Sequence, residues 1–172
     1  RVPIRSLFHQ SLARLADRWP ALSKRLVAGF KPLESVTIPW ADMTKPLNQA
    51  TIALVTTAGV HHRGQSKFDM ADSNGDPSAR ILDAGTIEND YTITHDYYDH
   101  RDADRDLNIV LPVRHLSAMQ AAGCIGAAAR RHFGFMGHID GPHVDTLIRE
   151  TAPQVAGMLA KDRVDAVLLT PA

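Results

Sequence analysis

The sequence has little cysteine and no excess of charge of either sign. Its 172 residues include one cysteine, Cys124, so no disulfide can form within the chain, which suits a reducing compartment. Its 19 Lys and Arg residues balance 19 Asp and Glu residues, for a formal net charge of zero. This balance gives no electrostatic support for binding nucleic acid or an anionic membrane. The composition therefore predicts a cytoplasmic protein with neither of these partners.

Long apolar runs, internal repeats and low-complexity tracts are also lacking. No run approaches the roughly 18 apolar residues that a membrane-spanning helix needs. Arg14, Asp17 and Arg18 interrupt any apolar stretch that could serve as a signal peptide. Hydrophobic residues make up 44% of the chain and charged residues 22%, as in ordinary globular proteins. A chain of this length is expected to build one sizeable core.

The N-terminal part of the chain predicts a helical arm. In residues 7–27, apolar residues recur at roughly helical spacing between Arg and Lys, and Pro20 breaks or kinks the pattern. Such an arm would pack on the domain or on a partner subunit. Residues 29–47 carry three prolines, which favours an extended connector. We therefore expect a helical arm over residues 1–31 and an α/β domain over residues 32–172.

Strand-like segments alternate with helical ones from residue 51 onward. The apolar run TIALVTT, residues 51–57, is typical of a central strand buried on both faces. Helical stripes run from Pro112 to Gly123 and over residues 147–159, where Pro153 should kink the helix. The other predicted strands are residues 79–83, 91–94 and 125–129 and a final buried strand, 164–169. This alternation predicts an α/β fold, a three-layer sandwich with a mainly parallel, Rossmann-like or flavodoxin-like sheet.

Polar residues follow four of the predicted strands, at the point where each strand ends. The four segments are TTAGVHH, THDYYDH, RRHFGFMG and LLTP. Because parallel strands end at one edge of a sheet, we expect these segments to converge, with His61, His95 and His132 near Thr170. Residues 65–77 are polar and should form a long surface loop. Cys124 follows a predicted helix end and is interpreted as a buried core cysteine.

Five collinear segments together resemble a known enzyme family. They are PLNQATIALVTTAGVH, SKFDMADSNGDPSARIL, THDYYDHRDADRDLNIVLPVRHL, RHFGFMG and ETAPQVAGMLAKDRVDAVLLTP. In this order they resemble the selenoprotein B family of glycine, sarcosine and betaine reductases, and within it the small selenoprotein subunit of D-proline reductase. The resemblance covers the chain from about residue 39 to its end and leaves residues 1–31 outside.

The resemblance implies reductive cleavage of a carbon–heteroatom bond in an amino acid or related small molecule. In this family a selenocysteine, or a cysteine in its place, follows the strand that matches residues 164–171, often with a second cysteine as redox partner. The best-known members work with a pyruvoyl-bearing partner subunit; no cofactor is expected in this chain itself. Because the nucleophile is absent up to Ala172, we expect the natural chain to continue through a selenocysteine encoded by UGA. The chain as it stands should not carry out the family reaction.

The chemistry that the resemblance implies needs a proton donor and a clamp for the substrate. The candidate catalytic residues are His61, His95, Asp99, His100 and His132. The candidate substrate-binding residues are Thr57, Gly59, Arg105, Asp106, Gly134 and Thr170, with Arg131 as an alternative clamp to Arg105. No metal ligand is expected in this interpretation.

Two further interpretations stay open. THDYYDH is close to the T-H-x-H-x-D-H pattern of metallo-β-lactamase-like hydrolases, in which His and Asp bind paired metal ions. Tyr97 stands at the position of the second histidine, so His61 or His62 would have to join His95, Asp99 and His100 as ligands. The other interpretation is a non-catalytic binding subunit. Independently of the function, the final apolar strand predicts self-association, most simply as a symmetric dimer.

Overall fold

A computed structural model describes residues 41–85 and 90–171, together with isolated positions between residues 11 and 28. The chain divides into a smaller unit, Arg1–Met43 with Asp96–Asp99, and a larger unit, Thr44–His95 with His100–Ala172. Most of the predicted helical arm lies outside the described residues, although Leu12 and Leu15 are helical. The predicted boundary at residue 31 also lies outside them and stays a prediction. The α/β elements all belong to the larger unit.

The strands of the larger unit form two sheets. The strands are β1 (Thr51–Thr56), β2 (Val60–His62), β3 (Arg80–Asp83), β4 (Tyr91–Ile93), β5 (Ala127–Ala128), β6 (Arg131–Gly134) and β7 (Ala166–Thr170). In the larger sheet, β1 runs parallel to β5 and β6 along one edge and to β7 along the other. β3 pairs antiparallel with β6. The apolar run of β1 thus forms a central strand, as predicted, and the fold is α/β with a mainly parallel sheet.

The described helices include the two that the apolar stripes predicted, and two short helices that were not predicted. They are α1 (Arg101–Arg105), α2 (Val113–Ala121), α3 (Pro142–Thr146) and α4 (Ala152–Lys161), with 3-10 turns at Leu47–Gln49 and Leu107–Ile109. A π-helical turn, Leu147–Thr151, joins α3 to α4, so the N–H of Ala152 bonds to the carbonyl of Leu147. This wider turn accommodates Pro153, which has no N–H and would clash with a regular preceding turn. A π-helical turn thus stands at the position predicted for the kink. Within the described part of the chain, no helix is long and apolar enough to span a membrane.

The segment from α3 to α4 covers part of the apolar core. Val155 of α4 is buried against Phe133 of β6 and Phe135, which follows that strand. Three further side chains pack on this cluster from the same helical segment, namely Leu147, Met158 and Leu159. The connection from β6 through α4 to β7 is therefore a β–α–β crossover whose helix packs on the sheet.

The predicted place of β4 in the parallel sheet is wrong. β4 pairs antiparallel with β2 in a separate two-stranded sheet, with His61 opposite Thr92. The cause is the turn at Gly59, whose positive φ of 70° sends the chain straight from β1 into β2. His61, which was expected beyond the end of a strand, is consequently a buried residue within β2.

Two predictions of burial are also wrong. Cys124 is exposed, because the left-handed turn at Gly123 that ends α2 turns Ile125, not Cys124, into the core. β7 was expected to be buried, but Leu168 is 48% and Leu169 69% exposed. Among the described residues β7 pairs with β1 alone, so its outer side has no neighbouring strand.

Candidate functional site

Three parallel strands end side by side. Thr56 of β1 is in register with Gly134 of β6 and with Thr170 of β7. Just beyond, the Thr57 N–H donates to the Thr170 carbonyl at 3.2 Å, and the Phe135 N–H donates to the Thr56 carbonyl at 2.8 Å. Three of the four predicted strand ends therefore meet, whereas His61 and His132, which were expected at these ends near Thr170, lie within β2 and β6.

His95 lies at the same place, although β4 belongs to the other sheet. Its side chain is buried. A Cβ added to Gly59 would lie 3.0 Å from the His95 Cβ, and one added to Gly137 would lie 3.2 Å from His95 Nε2. The added Cβ on Gly137 would also lie 2.8 Å from the Thr57 carbonyl oxygen. The two glycines thus make room for the imidazole. We refer to Thr57, Gly59, His95, Gly137 and Thr170 as the carboxyl edge.

Two predicted substrate-binding residues have contacts within the chain. The Thr170 hydroxyl donates to the Val110 carbonyl at 2.7 Å, which ties the end of β7 to the segment before α2. Gly134 lies so close to the Val60 carbonyl that a side chain there would collide with it. Both residues therefore hold the carboxyl edge together, and their predicted contact with a substrate is untested.

His61 and His132 are buried, neutral side chains inside the sheets. His61 Nδ1 donates to the His62 carbonyl at 2.8 Å, so Nε2 accepts from the Thr94 hydroxyl at 2.8 Å. His132 Nδ1 accepts the Leu54 N–H at 3.1 Å. Burial lowers the pKa of His61 and lowers the pKa of His132 to about 4. These hydrogen bonds give both imidazoles a structural role, and their predicted catalytic roles stay untested.

The remaining predicted catalytic residues belong one to each unit. Asp99 belongs to the smaller unit. His100 belongs to the larger unit and immediately precedes α1, and its Nδ1 pairs with Asp104 at 2.8 Å. The predicted catalytic roles of both residues stay untested.

The two arginines proposed as substrate clamps differ in their surroundings. Arg131 makes a two-pronged pair with Asp162, at 2.6 and 2.7 Å, which raises the pKa of Arg131. Arg105 instead lines a pocket with Asp106, beside β4. Arg105 also pairs with Asp102, at 3.0 Å, so both arginines have a carboxylate partner and Arg105 differs in that it lines a pocket.

Two arginines of this pocket were not among the predicted site residues. Arg63, directly after β2, and Arg114 of α2 also line it. Arg114 lies in the segment THDYYDHRDADRDLNIVLPVRHL that resembles the family, but nothing in the pattern set it apart from its neighbours. Arg63 lies outside the segments that resemble the family, and the pairing of β2 with β4 places it beside the pocket.

The metallo-hydrolase interpretation gains no support from the geometry. In the described ranges, no three His, Cys, Asp or Glu side chains are close enough to hold a metal ion. His61, one of the two possible replacement ligands, uses both ring nitrogens in contacts within the chain.

Two named proteins are similar to this chain. D-proline reductase subunit gamma of Acetoanaerobium sticklandii is 37% identical over 131 residues, covering 76% of this chain and 52% of that protein. Glycine reductase complex component B subunit gamma of Carboxydothermus hydrogenoformans is 30% identical over 135 residues, covering 77% of this chain and 30% of that protein. The chain thus spans about half the length of the first relative and less of the second.

No solved structure matches the chain. The family model described as glycine/sarcosine/betaine reductase selenoprotein B matches residues 30–172, most of the sequence. Both named relatives are subunits of glycine or D-proline reductases. The chain belongs to the glycine/sarcosine/betaine reductase selenoprotein B family.

Proposed function

We propose that the chain is part of a reductase subunit that cleaves a carbon–heteroatom bond in an amino acid or related small molecule at the carboxyl edge. Family membership supports the reductase class. The observation that carries the location is the meeting of β1, β6 and β7, with His95 held between Gly59 and Gly137. Open parallel sheets commonly bind ligands at this edge.

The reaction that the family implies has a defined balance of electrons and protons. A selenolate or thiolate attacks the carbon, and the heteroatom leaves with the bonding electron pair and takes up a proton. A second thiol then attacks the selenium or sulfur, the carbon keeps its electron pair and takes up a proton, and a selenosulfide or disulfide forms. In the family the nucleophile follows the strand that matches β7. We place it next to the Thr170 carbonyl, at the carboxyl edge.

Within this proposal His95 is the proton donor to the carbon. Of the four candidate histidines, His95 is the one at the carboxyl edge, with Nε2 close to Gly137. His61 and His132 lie inside the sheets, and His100 pairs with Asp104. A histidine within reach of the reacting carbon can supply a factor of roughly 10²–10⁴ in rate by proton transfer.

The proposal also includes partners. A pyruvoyl-bearing subunit would activate the substrate, as the family resemblance implies. A reducing cytoplasm would suit the exposed thiol of Cys124.

β7 is the surface we assign to a second copy of the chain. Its apolar side chains are exposed, its outer edge pairs with no other strand of the described residues, and two identical edges can pair antiparallel across a twofold axis.

The nucleotide sequence after the Ala172 codon tests the nucleophile. A UGA codon followed by an open frame with a nearby cysteine codon supports the proposal. A UAA or UAG codon, or no open frame downstream, contradicts it. A full-length sequence with neither cysteine nor selenocysteine after Pro171 would instead favour the interpretation as a non-catalytic subunit.

A kinetic experiment tests His95. The full-length protein, with cysteine at the nucleophile position and its partner subunits present, is assayed for reductive cleavage of D-proline and of glycine. His95→Gln should lower kcat about 10²-fold or more with little change in KM. His115→Gln is the matched control, because His115 is an exposed residue of α2. An unchanged kcat in folded His95→Gln protein would exclude His95 as the donor.

A further inference from the structure

Thr94 is a half-buried residue that joins β4 to His95. β4 ends at Ile93, and its pairing with β2 ends at the same residue. The residues that follow His95, Asp96–Asp99, belong to the smaller unit. The position of Thr94 therefore determines where the backbone of His95 leaves the strand.

The backbone of Thr94 is held against Gly59. The Thr94 N–H donates to the Gly59 carbonyl at 2.9 Å, which extends the pairing of β2 and β4 by one step. A Cβ added to Gly59 would collide with the Thr94 carbonyl oxygen, so the two backbones lie in close contact. Both contacts are made by backbone atoms and do not depend on the side chain at position 94.

The side chain of Thr94 is held by His61. The Thr94 hydroxyl donates to His61 Nε2 at 2.8 Å. His61 lies opposite Thr92 in the pairing of β2 with β4, and side chains two residues apart along an extended chain lie on the same face. The hydroxyl of Thr94 thus reaches the imidazole across the diagonal of the pair.

His61 is a well-fixed anchor for this hydroxyl. It is buried, and its Nδ1 donates to the His62 carbonyl at 2.8 Å. Its ring also meets the Phe68 ring edge to face, with 6.0 Å between the ring centroids. Burial lowers the pKa of His61, so the imidazole is neutral near pH 7 and keeps a lone pair on Nε2 for the hydroxyl. The ring cannot turn without breaking one of its two hydrogen bonds.

We propose that Thr94 and His61 form a positioning pair that fixes His95 at the carboxyl edge. Their hydrogen bond adds a side-chain restraint to the two backbone contacts with Gly59, on the residue directly before His95. The inference rests on the proposed function, because it assigns the pair to proton transfer by His95. Thr94 and His61 are positioning residues in this proposal: they act through the placement of the His95 imidazole and not by touching the substrate.

The full-length protein, with cysteine at the nucleophile position and its partner subunits present, tests the pair. Thr94→Val keeps the shape of the side chain and removes the hydroxyl. It should lower kcat about tenfold with little change in KM, which is within the roughly 10²-fold that a misplacement of about 1 Å can cost. Thr94→Ser keeps the hydroxyl and should retain most of the kcat. Thr146→Val is the matched control, because Thr146 is a half-buried residue of α3 outside the carboxyl edge.

A double substitution separates this inference from the assignment of His95 as the donor. In His95→Gln protein, Thr94→Val should cause little further loss of kcat, because the group that the pair positions is already absent. An additional loss of the same size would overturn the positioning role, and so would a Thr94→Ser protein as slow as Thr94→Val. If His95→Gln leaves kcat unchanged, the proposed function fails and the positioning pair fails with it. If His95→Gln lowers kcat and folded Thr94→Val does not, the hydrogen bond is merely structural and the positioning pair alone is wrong.

Discussion

Replacing Gly137 with alanine should destabilise the larger unit, because the added methyl group has no room at the carboxyl edge. The new Cβ would lie 2.8 Å from the Thr57 carbonyl oxygen and 3.2 Å from His95 Nε2. Carbon atoms in favourable contact lie about 3.5–4.0 Å apart, so these neighbours would have to move. Gly137 has no positive φ, and the expected loss is therefore steric. Overpacking of this kind costs roughly 1–3 kcal/mol in the free energy of unfolding.

The matched control is Gly157→Ala in α4. An added Cβ at Gly157 would meet nothing within 4 Å, and alanine in a helix is more stable than glycine by roughly 0.5–1 kcal/mol. Urea unfolding followed by far-ultraviolet circular dichroism should therefore move the two midpoints in opposite directions at similar slopes. A Gly137→Ala protein as stable as the parent would refute the close approach of Gly137, Thr57 and His95. Equal destabilisation by Gly157→Ala would show that the method does not distinguish the two environments.

Three further predictions concern protonation, exposure and association. Burial lowers the pKa of His132 from its ordinary value of 6.5 to about 4 in the folded chain. Between these pH values His132 therefore binds a proton in the unfolded chain but not in the folded one. The His132 contribution to the free energy of unfolding should fall by about 3 kcal/mol as the pH is lowered through this range. Urea titrations should give a smaller slope against pH for His132→Gln, and an equal slope would contradict the assignment. Cys124 should react fully with a disulfide reagent in the native protein, and protection until denaturation would show that it is buried. Leu169→Lys should shift the chain from dimer to monomer in light scattering, since a charge on an edge strand opposes pairing. An unsubstituted chain that is already monomeric would contradict the role we assign to β7.

Local sequence signals predicted those elements whose formation depends on neighbouring residues. The apolar β-branched run gave β1, and Pro153 gave the altered turn between α3 and α4. Each of these elements depends on local backbone geometry or on the burial of one continuous apolar run. Both properties can be inferred from a few neighbouring residues.

The errors share a different physical cause, which is dependence on contacts that are distant in sequence. The residues of β4 are strand-like, but their partner, β2, was not among the predicted strands. Cys124 lies outside the core because the turn at Gly123 determines that Ile125, and not Cys124, is buried. The apolar composition of β7 showed that it could be buried but not whether another strand would cover it.

His95 shows how the two kinds of information combine at the candidate site. The sequence identified it only as one of several histidines near strand ends. Its position at the carboxyl edge depends on Gly59 and Gly137, which lie on segments that follow different strands and have no side chain to occupy the space of the imidazole. A side chain at Gly137 would displace His95 without altering its chemistry. In the full-length reductase, Gly137→Ala should therefore lower the rate of proton transfer that we assign to His95, whereas Gly157→Ala should not.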